Sequence, residues 1–332
     1  MTFILENNSR KYILKNKIGN GATCECYIGQ SLTDQTSEIY AVKIFQEKFY
    51  EFYSNEVSFL SKLTNNNNFI KLYEHGQGML YLVNNDNDTT ENKDLNKQNV
   101  YFQILEYANN GELKDYVKDV YSRISEKVSA KIFMKIVIGV KYLHDNNIAH
   151  CDLKPENILI DKYFSPKIND FGFSQEFDGK NGNFLIHQSS RTPIYSSPDV
   201  RLAFTKGYDG KKNDVFSLGV LLFVITIGDF PFESATYSDD KYKFIIKGRY
   251  NNFWDFFSHI NTSGEFKELI NKLICLNPAK RLSVDEILKH PWLVQQLGEK
   301  YNELYNNISQ NNCLAAQSID QDIFDELTSK KV

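Results

Sequence analysis

The chain has 332 residues, of which 42% are apolar and 24% charged, and its 38 basic and 42 acidic side chains leave a formal net charge of −4. That length can bury a large core, and that composition is ordinary for a globular protein. The slightly acidic balance excludes a general electrostatic attraction to nucleic acid or to an anionic membrane surface.

In chain order, Met1-Thr2-Phe3-Ile4-Leu5 runs directly into polar Glu6-Asn7-Asn8, so no leader segment is expected. Tyr12-Ile13-Leu14, Cys26-Tyr27-Ile28-Gly29 and Ile39 to Ile44 alternate as strands. Phe52 to Leu63 then takes helical spacing, with Val57, Leu60 and Leu63 on one stripe. Strands are predicted at Met79 to Val83 and Val100 to Glu106, separated by the Asn- and Asp-rich stretch 84–99, which reads as a flexible excursion. The first hundred residues thus predict a small antiparallel lobe with one helix.

Helices dominate from Gly111 onward. Ser125 to His144 carries Val128, Ile132, Ile136, Val140 and Leu143 on one face, and further helices are predicted at Asp214–Ile227, Phe266–Leu276 and near His290-Pro291-Trp292. The apolar run Val215 to Gly228, bracketed by Asp214 and Asp229, is too short to span a bilayer and reads as a buried core helix. In the tail, 294–332, one amphipathic segment lies around Ile319–Leu327. The five cysteines (24, 26, 151, 275, 313) are odd in number and dispersed, which suits a reducing cytosol better than a disulfide framework. Cys24-Glu25-Cys26 lacks a second pair at ligand spacing, so a zinc site is not expected.

The chemistry concentrates in His150-Cys151-Asp152-Leu153-Lys154-Pro155-Glu156-Asn157 and Asp170-Phe171-Gly172. Two carboxylates, an ammonium group and an amide oxygen sit within a short hairpin. Phosphoryl transfer asks for that set: a carboxylate to orient a hydroxyl, a cation near the moving phosphoryl, and oxygen ligands for Mg²⁺.

These two motifs resemble the catalytic and metal-binding loops of protein kinases. Ile18-Gly19-Asn20-Gly21-Ala22-Thr23-Cys24-Glu25-Cys26 resembles the family's glycine-rich loop, with Cys24 at the third glycine and Cys26 where valine usually covers the adenine. The resemblance makes Lys43, in Ala41-Val42-Lys43, the ammonium on the α- and β-phosphates, and Glu56 the carboxylate that holds it. It also implies a hinge at Leu105-Glu106-Tyr107-Ala108. There the Glu106 and Ala108 backbone would meet the adenine edge, and Leu105 would control a rear pocket. Glu112 would meet the ribose or a basic substrate residue, although an acidic helix start gives the same sequence. Asp152 is the implied proton acceptor, Lys154 the neutraliser of the transferring phosphoryl, and Asn157 and Asp170 the Mg²⁺ ligands. Ala41, Glu156 and Leu159 complete the implied nucleotide site.

The Asp-Leu-Lys-Pro-Glu-Asn loop and Arg191-Thr192-Pro193-Ile194-Tyr195-Ser196-Ser197-Pro198-Asp199 resemble the serine/threonine class. Thr192 would bond near Asp152 and Lys154, and Asp199, in place of the usual glutamate, would pair with Arg281. Asp214 matches the aspartate that anchors the catalytic-loop backbone, with helix capping the competing explanation. The stretch from Phe266 to Leu293 looks like the calcium/calmodulin-dependent kinase group.

The resemblance implies an α+β, bilobal kinase fold over 12–293 (12–108 and 109–293), with ATP and Mg²⁺ between the lobes and a tail, 294–332, that is partly helical or disordered. It implies a cytoplasmic, intracellular serine/threonine protein kinase, compatible with nuclear access, acting on protein substrates and not on nucleic acid or membranes. The alternative is a pseudokinase scaffold without turnover, encouraged only by Cys24 and Cys151. Cys151 stands where many kinases carry an arginine that receives an activation-loop phosphate. A phosphate on Ser189 or Ser190 is therefore not expected to be required. The tail holds three lysines against six acids, which argues against calmodulin and favours a helix docked on the larger lobe or a disordered end.

Overall fold

The computed structural model describes residues 2–34, 37–63, 65–83, 97–117, 121–177, 185–186, 192–202, 206–309 and 319–330. Most of the expected excursion at 84–99, together with Ser189, Ser190, Arg191 and Cys313, lies outside the described residues. The chain divides into two compact units, Met1–Asn66 with Ile70–Asn109, and Asn67–Phe69 with Asn110–Val332.

The first unit is a six-stranded antiparallel barrel in which β1 (Thr2–Glu6), β2 (Lys11–Asn20), β3 (Cys24–Ser31), β4 (Ile39–Phe45), β5 (Leu72–Val83) and β6 (Gln98–Glu106) close in the order β1-β2-β3-β4-β6-β5. Alternation sends Leu5, Tyr12, Leu14, Tyr27, Val42, Ile44, Leu80, Val100, Phe102 and Ile104 inward to one core. Strand β1, which sequence alone did not reveal, completes the ring by pairing with both β2 and β5. Gly78 makes that closure possible: a Cβ there would lie 3.0 Å from the Glu6 carbonyl oxygen and 3.1 Å from Leu5 Cδ1. Helix α1 (Tyr50–Leu63) turns Tyr53, Glu56, Phe59, Leu60 and Leu63 inward, whereas Val57 is only half-buried.

The second unit is mainly helical. Helix α2 (Glu126–Asp145) is capped by the Ser125 side chain, which accepts from the Val128 N–H. Helix α3 (Gly210–Ile227) is apolar nearly all round and buried along its length. Its cap is Asp209, not Asp214, which lies inside the helix; the capping explanation for Asp214 therefore does not hold. Around these two pack α4 (Tyr242–Ile246), α5 (Tyr250–Asp255), α6 (Gly264–Leu273), α7 (Val284–Leu288), α8 (Pro291–Leu297), α9 (Lys300–Ser309) and α10 (Gln321–Lys330). Short antiparallel pairs join them: β7 (Ile148–Ala149) with β10 (Gln175–Glu176), β8 (Ile158–Ile160) with β9 (Pro166–Ile168), and β11 (Leu185–Ile186) with β12 (Tyr208–Asp209). Among the described residues no helix is long and apolar enough to cross a membrane.

The Glu126 carboxylate ties three helix ends together. It accepts from the Ser263 N–H (2.7 Å) and Ser263 hydroxyl (2.6 Å) at the cap of α6, and from Trp292 Nε1 (2.7 Å) in α8. The acidic tail ends in a docked helix: in α10, Ile323 and Leu327 are wholly buried and Lys131 of α2 binds Asp320 and Asp322.

Candidate active site

The candidate residues of the barrel are displayed by register. Cys26 lies opposite Lys43, Lys43 opposite Gln103, Ala41 opposite Ile28 and Leu105, and Gly19 opposite Cys26. Directly paired residues in an antiparallel sheet share a face, as do residues two apart. Cys26, Ala41, Lys43, Gln103 and Leu105 therefore share one face of the sheet. The barrel core takes Tyr27, Val42, Ile44, Phe102 and Ile104 from the other.

Lys43 is buried, and its Nζ lies 2.5 Å from Glu56 Oε1, itself 2% exposed on α1. Two buried charges at that distance hold each other in place, since neither can be stranded without a large desolvation cost. The end of β2 and the turn into β3 expose Ile18, Asn20, Gly21 and Ala22 and leave Gly19 half-buried, with the Gly21 N–H on the Cys24 carbonyl at 2.9 Å. A Cβ on Gly19 would approach Cys26 Cβ to 3.3 Å, so a small residue is favoured there. At the end of β6, Leu105 and Ala108 are buried, and the Glu106 N–H is taken by the Lys71 carbonyl at 2.8 Å. Gln103 is fully buried with neither amide atom hydrogen-bonded among the described residues, a feature of this face that sequence reading does not single out.

The helical unit gathers a second constellation around Asp152. Its Oδ1 accepts from the Thr192 hydroxyl at 2.9 Å; its Oδ2 accepts from Lys154 Nζ at 2.8 Å and Asn157 Nδ2 at 3.0 Å. Lys154 Nζ also reaches Thr192 Oγ1 at 3.0 Å, and Asn157 Nδ2 donates to the Asp152 carbonyl at 2.7 Å. Asp152, Lys154, Asn157 and Thr192 thus form one cluster, as expected. The donations by Nδ2 orient the Asn157 amide, leaving its oxygen as the group an oxygen-seeking ion would meet.

Backbone geometry builds this loop. Cys151 (φ 65°) and Asp170 (φ 64°) both sit in the left-handed region. Wholly buried Asp214 accepts from the His150 N–H, the Cys151 N–H and His144 Nε2, each at 2.9 Å. Those contacts are the backbone anchor that the family resemblance implied; His144 as a third partner was not anticipated. His150 Nε2 donates to the Asn169 carbonyl (3.1 Å), and its ring lies 5.0 Å from that of Phe171, which also meets Phe69 at 5.9 Å. Asp170 sits directly before this aromatic stack, and its Oδ1 accepts the Gly172 N–H at 3.3 Å.

The remaining candidates lie nearby in sequence but differ in environment. Glu112 and Leu159 meet at a backbone bridge. Glu112 is ion-paired with Lys114 at 2.6 Å and its N–H bonds Asp115, so its surroundings are those of a helix start. Glu156 borders a cavity of about 400 Å³ shared with Asp115, Tyr195, Asp229 and Phe230, and its buried Oε2 has no hydrogen-bond partner among the described residues. Asp199 pairs with Arg281 at 2.6 Å; that guanidinium is buried and also serves the carbonyls of Lys212, Cys275 and Leu276.

Cys151 lies in an apolar cluster with Ala149, Phe177, Val200 and Tyr208. Burial first, and then the nearby Asp214 charge, push its thiol well above the ordinary value.

Comparison with known proteins agrees with this geometry. A family model described as the protein kinase domain matches residues 12–293. CBL-interacting protein kinase 10 of Oryza sativa subsp. japonica is 37% identical over 196 residues, 59% of this chain and 41% of that protein. CBL-interacting protein kinase 2 of the same organism is 30% identical over 297 residues, 88% of this chain and 60% of that protein. The probable serine/threonine-protein kinase MARK-B of Dictyostelium discoideum is 31% identical over 306 residues, 89% of this chain and 38% of that protein. The chain therefore spans less than two thirds of the length of these curated relatives.

Proposed function

This chain belongs to the protein kinase family, and from that premise we propose that it transfers the γ-phosphoryl of ATP to serine or threonine hydroxyls of protein substrates. The observation that carries the reading is the Asp152 carboxylate, buried and held by Lys154, Asn157 and Thr192 at 2.8 to 3.0 Å. A substrate hydroxyl reaching Asp152 would pass its proton to that carboxylate as its oxygen forms the new bond to phosphorus and the ADP oxygen departs. Lys154 would offset charge on the transferring group. Lys43, fixed by Glu56, would bind the α- and β-phosphates, with the Gly19–Ala22 backbone beside them. Ala41, Cys26, Leu105, Leu159 and the Glu106 and Ala108 backbone would enclose the adenine.

The Asn157 oxygen and the Asp170 carboxylate fit Mg²⁺, a hard ion that prefers oxygen donors. Held by these two side chains, the ion would supply charge neutralisation for the transferring phosphoryl. A scaffold without turnover has no physical need for Lys154 together with both metal ligands, which disfavours the pseudokinase reading.

Two finer readings follow. The Cys151 cluster supports an activation segment held by apolar contact and not by a phosphate, because a buried thiol cannot offer the fork that receives one. A reducing, cytoplasmic setting accords with five cysteines that are odd in number and dispersed along the chain.

A degenerate peptide array with Mg²⁺ and radiolabelled ATP tests the proposal. Label on serine or threonine with the wild-type chain, and none with Asp152→Asn, is the expected result. Label confined to tyrosine, to lipids or to sugars would refute the substrate class, and no label anywhere would favour the scaffold.

A further inference from the structure

The tail helix grips two elements at once. Its acidic side chains hold the first half of α2: Lys131 Nζ lies 2.7 Å from Asp320 and 2.6 Å from Asp322, and Lys127 lies 3.0 Å from Asp322. Glu326 accepts both the Ser125 N–H (2.5 Å) and its hydroxyl (2.6 Å), a carboxylate set against the positive end of α2. Buried Ile323 and Leu327 fill the same face. On the adjoining edge the Phe324 ring meets Phe164 edge-on at 4.9 Å.

Phe164 sits in the turn that closes the β8–β9 hairpin, in a left-handed conformation (φ 58°) that a bulky residue rarely adopts. The turn is tied by Asp161, whose Oδ1 accepts the Tyr163 N–H (2.8 Å) and the Ser165 N–H (2.9 Å), while Lys135 Nζ reaches Ser165 Oγ at 3.2 Å. From it run two paired strands of three residues each. They end at Asn157 and Asn169, joined by a hydrogen bond from the Asn169 N–H to the Asn157 carbonyl (2.9 Å), and Asp170 follows directly. The hairpin thus links Phe164 to both proposed metal ligands through about 10 Å of continuous ladder.

We propose that Phe324 is a positioning residue for Asn157 and Asp170: seated on Phe164, it holds the turn in its left-handed form and thereby fixes the spacing of the hairpin's open end. The α2–hairpin surface is on this account a docking site for an acidic amphipathic helix, with α10 as its resident occupant. The inference rests on the kinase reading of those two ligands.

The test measures affinity for a non-hydrolysable ATP analogue on the full chain, with and without Mg²⁺, by calorimetry. Phe324→Ala should weaken the Mg²⁺-supported affinity by about 3- to 10-fold and leave metal-free binding unchanged, and Phe324→Leu should restore most of the loss. Leu288→Ala, on α7, controls for general destabilisation at a matched fall in melting temperature. Equal losses with and without Mg²⁺, no loss at all, or the same pattern from Leu288→Ala would overturn the proposal. A wild-type chain that binds no nucleotide would instead bring down the kinase reading, and this inference with it.

Discussion

Replacing Asp214 with asparagine keeps the shape of the side chain but removes its charge and turns one acceptor oxygen into an NH₂ donor. The carboxylate receives three donors at 2.9 Å while fully buried: two backbone N–H groups and His144 Nε2. An amide offers one oxygen, and its NH₂ group must then face an N–H of the loop. Losing one charge-assisted bond costs about 1.5–3 kcal/mol, and a buried donor left without an acceptor adds about 1–3 kcal/mol. The expected loss is therefore about 2.5–6 kcal/mol, a large part of the roughly 5–15 kcal/mol available to a domain. Urea unfolding followed by circular dichroism reads it as a lower midpoint at unchanged slope. Because the same bonds fix His150 and Cys151 beside Asp152, phosphoryl transfer should fall in conditions where the variant is still folded. A loss below about 1 kcal/mol with unaltered transfer would refute the anchoring argument.

The tail helix should respond to acid in a defined window. The Lys131 contact first, and then Lys127, hold the Asp322 carboxyl down at about 2, against 3.8 ordinarily. A carboxyl whose folded value is depressed contributes fully above its unfolded value and loses that contribution as pH falls through the folded one. The protection factor across 321–330, exchange taken relative to the intrinsic rate at each pH, should therefore be high above 3.8 and fall towards about 2; a factor that persists below this, or vanishes near neutrality, would contradict the pairing. In the folded chain the raised Cys151 thiol should resist iodoacetamide at about pH 8 and react only after denaturation. Mass spectrometry showing early alkylation of Cys151 would overturn that expectation.

Much of this molecule is legible in its sequence because strongly patterned segments carry their own period. Ser125 to His144 fixes α2 within a residue or two, and the ordered polar motifs foretell the cluster around Asp152. What stayed hidden has physical causes. Strand β1 is only five residues long and is defined by long-range pairing with β5, which a local reading does not see. Gly76 and Gly78 interrupt the apolar pattern, so β5 appeared to start at Met79 when it begins at Leu72. Gln103 looks like an ordinary strand residue, and only its register opposite Lys43 shows that an amide is buried there. Helix α9 is polar apart from Tyr301, Leu304, Tyr305 and Ile308, too weak a stripe to stand out among asparagines. For Asp214, two physical explanations fitted one residue, and only the position of the cap separated them.

The most direct measurement compares wild type and Asp152→Asn for transfer rate at saturating peptide and Mg²⁺–ATP, with nucleotide affinity determined on the same samples. A fall in kcat of about 100-fold or more at unchanged nucleotide affinity is the predicted result. Undiminished transfer by the variant would contradict the role given to that carboxylate.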